Sequence, residues 1–521
     1  MASVKDAKKT VLDWVEENNQ WISDFHQLIW NYAEPALREY RSSKAYCDVL
    51  RKEGFSVTEG TGGMPTAFMA SYGEGRPVIA TYAEYDAVPG NSQQAVPYQA
   101  PREGLNPWAA GHTDPHSALG VSCLAGILAA KKAMVDCGLK GTFRIYGEPA
   151  EKICVSKPFH AAKGYYDGLD AAVVYHPSAV NSVAWDTHAG AYWNVVFTFE
   201  CIEPETWFRP DEGIGSGRCP AALDAVCLMY TTTKYTKEAM LPHTANWTLN
   251  EFMMVGGQCT SDNIPPRLGQ ISYAFRSPTL AMQQQIYNVL ENNAKSVAQI
   301  THCRLSSRWV SKTRVGLPNL AISELVYRNL EQVGPPRYGE EAVKVAQEIQ
   351  KNLGVEPMAD PLTTECRILT TPQKYEVNQR RILPPWVPNF GSDDYVEYTW
   401  HAPTCRLWTA RANLRPAAGL VYPAWTRLAL GGIRSTIDPM IFTAAKTIGA
   451  SMVELLTEPK ELEKAWAEFN KRTGGGIGGS KWVAPLLPSD LDPPVDMRWP
   501  EYVMTSRGEE WWVPTPLKKS R

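Results

Sequence analysis

The sequence has no Cys-x-x-Cys pair, no block of basic residues, no internal repeat and no Lys-Ser/Thr at phosphate-loop spacing. Each absence removes a class of function. Eleven cysteines at irregular intervals, Cys47 to Cys405, read as reduced and mostly buried thiols, not as a disulfide framework or a zinc ribbon. A formal charge of −3 gives no reason to invoke nucleic acid or an anionic membrane as partner. The first twenty residues lack the apolar core of a signal peptide and read instead as an amphipathic helix. No run approaches the roughly 18 apolar residues that span a bilayer. The run Gly474-Gly475-Gly476-Ile477-Gly478-Gly479 follows no strand, so it reads as a linker and not as a phosphate loop. The expectation is a soluble, cytoplasmic protein whose partner is a small molecule.

What is present points to two packed domains. The 521 residues exceed what one ordinary core organises, and 44% hydrophobic with 21% charged residues is a globular composition. Val4 to about Leu50 repeats apolar residues at helical spacing. Pro77 to Tyr82, Thr142 to Tyr146 and Ala171 to Tyr175 read as short buried strands. Between the first two, Ser117 to Cys137 reads as a buried helix stopped by Gly138. Strand, helix and strand at this rhythm predict an α/β domain with a central sheet, whose ligands gather at the carboxyl ends of the strands.

From about Ala189 the pattern changes. Strands at Tyr192–Phe199, Phe252–Val255 and Ile271–Arg276, with helices at Ala221–Tyr230 and Ala281–Ala298, predict a smaller inserted α+β domain. The expected division is 1–188 and 315–473 for the catalytic domain and 189–314 for the insertion. A glycine-rich link and a Trp/Pro-rich tail fill 474–521. The tail's aromatics (Trp482, Trp499, Trp511, Trp512) read as packing against the catalytic domain or a neighbouring subunit.

Three polar clusters border these strands. In Gly111-His112-Thr113-Asp114-Pro115-His116, the Asp and the second His sit two apart in a constrained loop and can aim oxygen and nitrogen at one point, as a metal requires. The competing reading is a helix start capped by Ser117. In Glu148-Pro149-Ala150-Glu151-Lys152, a carboxylate at a strand end suits general-base work, because partial burial raises its pKa. A surface Glu148–Lys152 pair is the plainer alternative. His176, after the third strand, reads as a ligand or as a satisfied histidine.

Together these segments resemble the aminoacylase and carboxypeptidase G amidohydrolases, in the branch of p-aminobenzoyl-glutamate hydrolase and the auxin-conjugate amidohydrolases. The likeness runs through most of the chain. It is carried by Trp30-Asn31-Tyr32-Ala33-Glu34, Glu84-Tyr85-Asp86-Ala87-Val88-Pro89-Gly90, Gly111 to His116 and Pro149 to Lys152. Further points are Ala222 to Val226, Gly256-Gly257, Asn263-Ile264-Pro265-Pro266, Arg276 and Gly391-Ser392-Asp393-Asp394. The resemblance implies a catalytic α/β domain with an inserted lid that commonly makes a homodimer, and a two-metal centre.

Carried over residue by residue, it makes His116 and His176 metal ligands, Glu151 the base that activates water, and Asp114 the replacement for a bridging Cys. Asn263 and Arg276 would hold the substrate carboxylate or carbonyl. Three departures follow. Lys152 stands where a ligand Glu is expected, and an ammonium repels a cation. Tyr422-Pro423-Ala424-Trp425 occupies the segment of the last His ligand, and no His stands near Glu205 to Trp207, where the lid histidine falls. The remaining Asp114, His116 and His176 suffice for one zinc or similar divalent ion, with His112 and His401 as replacement ligands. No metal at all is equally coherent, with Lys152 neutralising Asp114 or Glu151 and Glu148 adding a carboxylate.

Three functions therefore stand. The first is an amidohydrolase for N-acyl amino acids or peptide-like amides. The second is a metal-independent acid/base enzyme of specialised metabolism, performing cyclisation, elimination or condensation. The third is a non-catalytic binding protein on the same scaffold.

Overall fold

The computed structural model describes residues 3–103, 105, 108–202, 221–241, 246–256, 266–384, 387–496, 502–505 and 508–511. Three helices open the chain: α1 (Val4–Glu17), α2 (Asn19–Tyr32) and α3 (Tyr40–Lys52). Next come β1 (Ser56–Glu59), β2 (Phe68–Glu74), β3 (Val78–Ala83), α4 (His116–Cys137), β4 (Gly141–Gly147), α5 (Ser156–Ala162), β5 (Ala171–Ser178) and β6 (Ser182–Val183). The middle of the chain supplies β7 (Ala191–Cys201), α6 (Ala222–Met240), β8 (Thr248–Val255), β9 (Leu268–Ser277), α7 (Leu280–Ile300) and β10 (Cys303–Lys312). Then follow α8 (Leu320–Val333), α9 (Glu340–Asn352), α10 (Pro372–Ile382), β11 (Thr404–Ala410), α11 (Ala424–Gly432), α12 (Arg434–Thr457) and α13 (Pro459–Thr473).

One sheet has seven strands in the order β1-β2-β4-β3-β5-β11-β6. Its centre is parallel (β4, β3, β5, β11) and its flanks are antiparallel. The strand β3 is buried at every residue, as a parallel strand covered on both faces must be, and its run Val-Ile-Ala-Thr-Tyr-Ala is correspondingly apolar. A second sheet is antiparallel, ordered β10-β7-β9-β8. It has its own core, in which Phe197, Phe275, Ile286 and Leu290 are buried together. The protein is thus a mixed α/β structure with a central sheet and a smaller α+β unit.

Two helices, α4 and α12, are long and apolar enough to cross a bilayer by composition alone, contrary to the expectation that no run suffices. Both lie in the core of the large sheet, 83% and 78% buried over their most apolar stretches. A helix covered on all sides needs no polar face. They touch at two glycines: a Cβ on Gly449 would stand 2.8 Å from the Gly126 carbonyl oxygen. Only a bare backbone permits this crossing, and it brings α4 down onto the sheet with its first residue, His116, at the strand ends.

The three predicted strands and the helix of the first half match β3, β4, β5 and α4 to within a few residues. The strands β1, β2 and β10 were not anticipated, and α6 extends ten residues past the expected end. The glycine-rich link begins as the left-handed C-cap of α13, with Gly474 at φ 70°. The tail then folds back. Trp482 Nε1 donates to the Trp400 carbonyl at 2.6 Å, and Leu487 is buried with Leu37, Phe159, Val196 and Val310, which belong to both sheets' surroundings. Trp499 and Trp512 lie outside the described residues.

Candidate active site

The parallel strands β3, β4 and β5 end on one edge of the sheet, and each delivers charge there. Glu84 and Asp86 follow β3, Glu151 and Lys152 follow β4, and His176 stands near the end of β5. The turn after β4 is unusual. Ala150 and Cys154 both adopt the left-handed conformation on either side of the short 3-10 turn Glu151–Ile153. For residues with a Cβ this costs on the order of 1 kcal/mol each. The turn is held from outside, since the Ala150 amide donates to Glu39 at 2.8 Å and the Lys152 amide donates to Asp86 at 2.9 Å. These contacts turn the side chains of 151 and 152 toward α4.

The Lys152 Nζ lies 2.9 Å from His116 Nε2, 3.2 Å from Asp114 Oδ2 and 3.8 Å from Glu151 Oε2. His116 is completely buried, with Nδ1 2.6 Å from Asp86 Oδ1. Two donors cannot face each other at 2.9 Å. The ammonium therefore donates to an Nε2 lone pair, and the Nδ1 proton points to Asp86. This is how a carboxylate orients a histidine whose other nitrogen is needed. Burial and the Lys152 charge oppose a second proton on the ring, whereas Asp86 and Glu84 favour one. The ring and the ammonium thus contend for the proton between them. His176 approaches from the far side, Nε2 3.3 Å from Asp114 Oδ2, with Nδ1 donating to the Pro177 carbonyl at 2.7 Å. Glu151 Oε2 and Glu84 Oε2 each lie 3.3 Å from His116 Nε2. Burial and the neighbouring charges of Glu84 and Asp393 push Glu151 up to about 7, opposed by Lys152 and His116. A carboxylate so placed exchanges a proton readily near neutrality.

The cluster is larger than the motifs suggested. Lys157, on α5, is wholly buried and bonds Glu84 Oε1 at 2.7 Å and Asp394 Oδ1 at 2.6 Å. Arg406, on β11, pairs with Asp393. Glu84, Asp86, Asp393 and Asp394 were visible only as members of family-like segments. Lys157 carried no sequence signal at all. From the second sheet, Arg276 on β9 donates to Ser392 Oγ at 2.7 Å, beside this acidic pair.

Other expected site residues are placed elsewhere. Glu148 is buried and accepts from Tyr166 at 2.6 Å and Tyr398 at 2.7 Å, with His160 Nδ1 at 2.9 Å. None of these is a member of the Lys152 cluster, so the structure does not place Glu148 with Glu151 and Lys152. Glu148 is the first residue after β4, which ends at Gly147, and its carboxylate is taken up by these three partners while feeling the charge of Lys157. His112 turns Nε2 toward the Ile29 carbonyl, 3.3 Å away, and burial depresses its pKa to about 3. His401 stands over Tyr166 and Trp482 and lies 3.3 Å from Asp167. Neither is brought to the cluster as a replacement ligand. Asn263 and the segment Glu205 to Trp207 lie outside the described residues.

Among the described residues, two groups of donors have ligand atoms within 4.8 Å of one another: Glu84, His116 and His176, and Glu151, Cys154 and Asp394. Each includes a residue hydrogen-bonded to a lysine ammonium, His116 to Lys152 and Asp394 to Lys157. A pair of divalent ions does not fit this arrangement, because each ion would stand against a positive charge at the same donor.

Comparison with known proteins supports the fold. The chain matches no protein-family model. It is 27% identical over 471 residues to a subunit of p-aminobenzoyl-glutamate hydrolase of Escherichia coli, covering 88% of this chain and 94% of that protein. It is 22% identical over 355 residues to the Xaa-Arg dipeptidase of Mus musculus, covering 66% of this chain and 75% of that one. Among solved structures, an aminobenzoyl-glutamate utilization protein from Klebsiella pneumoniae superposes with a TM-score of 0.51 at 13% identity. That alignment covers 84% of this chain and 98% of that one. A putative aminohydrolase from methicillin-resistant Staphylococcus aureus superposes with a TM-score of 0.52 at 12% identity over 86% of this chain and all of that one. The chain thus shares the fold of these solved structures and is similar, along nearly its whole length, to a p-aminobenzoyl-glutamate hydrolase subunit.

Proposed function

We propose that the protein cleaves the amide of an N-acyl amino acid or a short peptide-like substrate, with Glu151 as general base and Lys152 as the fixed positive charge. The observation that carries this reading is the pairing of Glu151, titrating near neutrality, with an ammonium 3.8 Å away at the strand ends of a hydrolase fold. Glu151 takes a proton from water and the hydroxyl adds to the amide carbonyl carbon. Lys152 offsets the charge gathering on the carbonyl oxygen. Glu151 then returns the proton to the nitrogen as the C–N bond breaks, leaving a carboxylic acid and an amine.

Arg276, whose guanidinium also lies 4.9 Å over the Tyr192 ring, is the natural partner for the substrate carboxylate. A largely apolar cavity of about 510 Å3, lined by Leu414, Leu420, Tyr422, Arg427 and Leu430, opens beside Ala179 and Val180. Ala179 is three residues past His176, at most about 11 Å of extended chain, which makes this cavity the candidate for the acyl group.

We read the working form as a cytoplasmic homodimer joined through the second sheet. The nine described cysteines are free thiols. The edge strand β8 exposes Phe252 and Met253, and α6 exposes Tyr235 at 82%, a surface suited to pairing.

The test is release of free amino acid from a panel of N-acyl amino acids and dipeptides, p-aminobenzoyl-glutamate included, by wild type and Glu151→Gln. Loss of kcat by a factor of roughly 100 or more supports the assignment; an undiminished kcat in the variant removes Glu151 from it. The acid–base cluster also favours a second reading, in which the same groups drive cyclisation, elimination or condensation. Mass spectrometry separates the two, since hydrolysis adds the mass of water across the substrate and the alternatives do not.

A further inference from the structure

We propose that the ammonium groups of Lys152 and Lys157 take the positions of divalent ions in this centre, which therefore works on fixed side-chain charge and binds no metal. The inference goes beyond the proposed reaction, because it concerns what holds the carboxylates together whichever bond is processed.

The two lysines are placed differently but do the same thing. Lys152 Nζ engages the His116 Nε2 lone pair that an ion would use, and reaches Asp114 Oδ2 as well. Lys157 Nζ bridges the two donor groups, taking Glu84 from one and Asp394 from the other, with all three side chains essentially unexposed. A continuous chain of acids and bases results: Asp394, Lys157, Glu84, His116, Lys152, Asp114, His176. No successive contact along it exceeds 3.3 Å.

Divalent ions bind nitrogen and carboxylate oxygen at about 2 Å. An ion on His116 Nε2 would compete for the lone pair that Lys152 already holds 2.9 Å away. An ion on Asp394 would share its carboxylate with an ammonium at 2.6 Å. Like charges at such spacing, in a buried site, exclude one another. Glu84 Oε2 and Asp394 Oδ2 make no hydrogen bond, and these are the oxygens where an ion would have to enter. The other oxygen of each is held by Lys157, so an ion there meets that charge directly.

The test uses the full-length protein, purified without chelator, incubated with excess zinc and desalted. Elemental analysis is expected to find no stoichiometric metal, and the melting temperature is expected to move with neither EDTA nor zinc. Lys152→Glu supplies the carboxylate that the lysine displaces. It is expected to gain zinc binding in a calorimetric titration, with a higher melting temperature in zinc. Stoichiometric zinc in the wild type, lost in His116→Ala, overturns the inference; so does a folded Lys152→Glu that ignores zinc. If Lys152→Glu does not fold, the wild-type metal content decides. Zinc-bound protein that hydrolyses the panel keeps the proposed reaction and sinks this inference, whereas metal-free protein with no turnover does the reverse.

Discussion

Replacing Lys152 by Met removes one charge from the centre with little change in side-chain length, and its effect can be worked from the geometry. The Nζ stands 3.8 Å from Glu151 Oε2. At an effective dielectric constant of about 20, two unit charges at that distance attract by about 4 kcal/mol, an upper bound near 3 pH units. The lysine side chain is 21% exposed, so solvent reduces this, and a displacement of about 1 unit or more is the firm expectation. The sign follows from the charge. A cation beside a carboxylate favours ionisation, so its loss raises the Glu151 pKa above its value of about 7. The base is active when ionised, so the acidic limb of kcat/KM against pH moves upward by the same amount. The variant also leaves Asp114 and His116 without their donor, which should lower stability by about 3 kcal/mol in denaturant unfolding. The assay is the pH profile, with the denaturation curve as control. A Lys152→Met enzyme whose limb stays where the wild type has it would show that the two groups are not coupled, and the proposed division of base and charge would fall.

Two further outcomes follow from groups outside the reacting cluster. Glu148→Ala leaves two tyrosine hydroxyls and His160 without their shared acceptor and should cost about 3 kcal/mol or more of stability. If the residue is structural, kcat per folded molecule persists; a variant that is stable but inactive would return Glu148 to the catalytic set. Three buried histidines should each weaken the fold in acid. Burial depresses His26 and His112 to about 3 and His188 to about 4. Below the unfolded value of 6.5 the unfolded chain takes up protons that the fold refuses, so stability is full above that pH and is lost as pH falls. Each histidine costs about 1 kcal/mol by pH 5.5, while the raised Glu151 and His116 act in the opposite sense. The check is therefore His112→Gln against wild type, and a variant whose unfolding free energy changes between pH 7.5 and 5.5 by the same amount as the wild type's would refute that cost.

Legibility in the sequence divides along physical lines. The strands β3, β4 and β5 announced themselves because a strand buried on both faces has to be a continuous apolar run. The strand β10, with Ser and Arg alternating on an exposed face, offers no such run, and most of its residues are at least partly exposed. Asp114, His116, Glu151, Lys152 and His176 were readable because a short motif keeps its residue types at fixed spacing, and the structure brings all five together. The partners of Glu148 were not readable, because spacing along a chain says nothing of which way a residue turns after a strand ends. Lys157 was silent for a plainer reason. In Val-Ser-Lys-Pro-Phe it looks like any surface lysine, and only the fold sets it between Glu84 and Asp394.

The changed residues make sense as one alteration and not as independent losses. The sheet edge gathers Glu84, Asp86, Glu151, Asp393 and Asp394 in a small buried volume with the half-exposed Asp114 beside them, and so many carboxylates cannot share it without compensating positive charge. Ions can supply that charge, but so can lysines tethered to the same turns. Once an ammonium at 152 holds His116 and Asp114 in place, a histidine in the 422–425 segment would have no ion to bind. That segment is then free to serve the cavity beside it, where Tyr422 is part of the lining. A charge fixed to the backbone differs from an ion in one further respect. It cannot be removed by a chelator or diluted away, but it also cannot lower the pKa of a bound water as a metal does. On the proposed mechanism the burden of activating the nucleophile then rests on the side chain whose pKa has been moved to neutrality, Glu151.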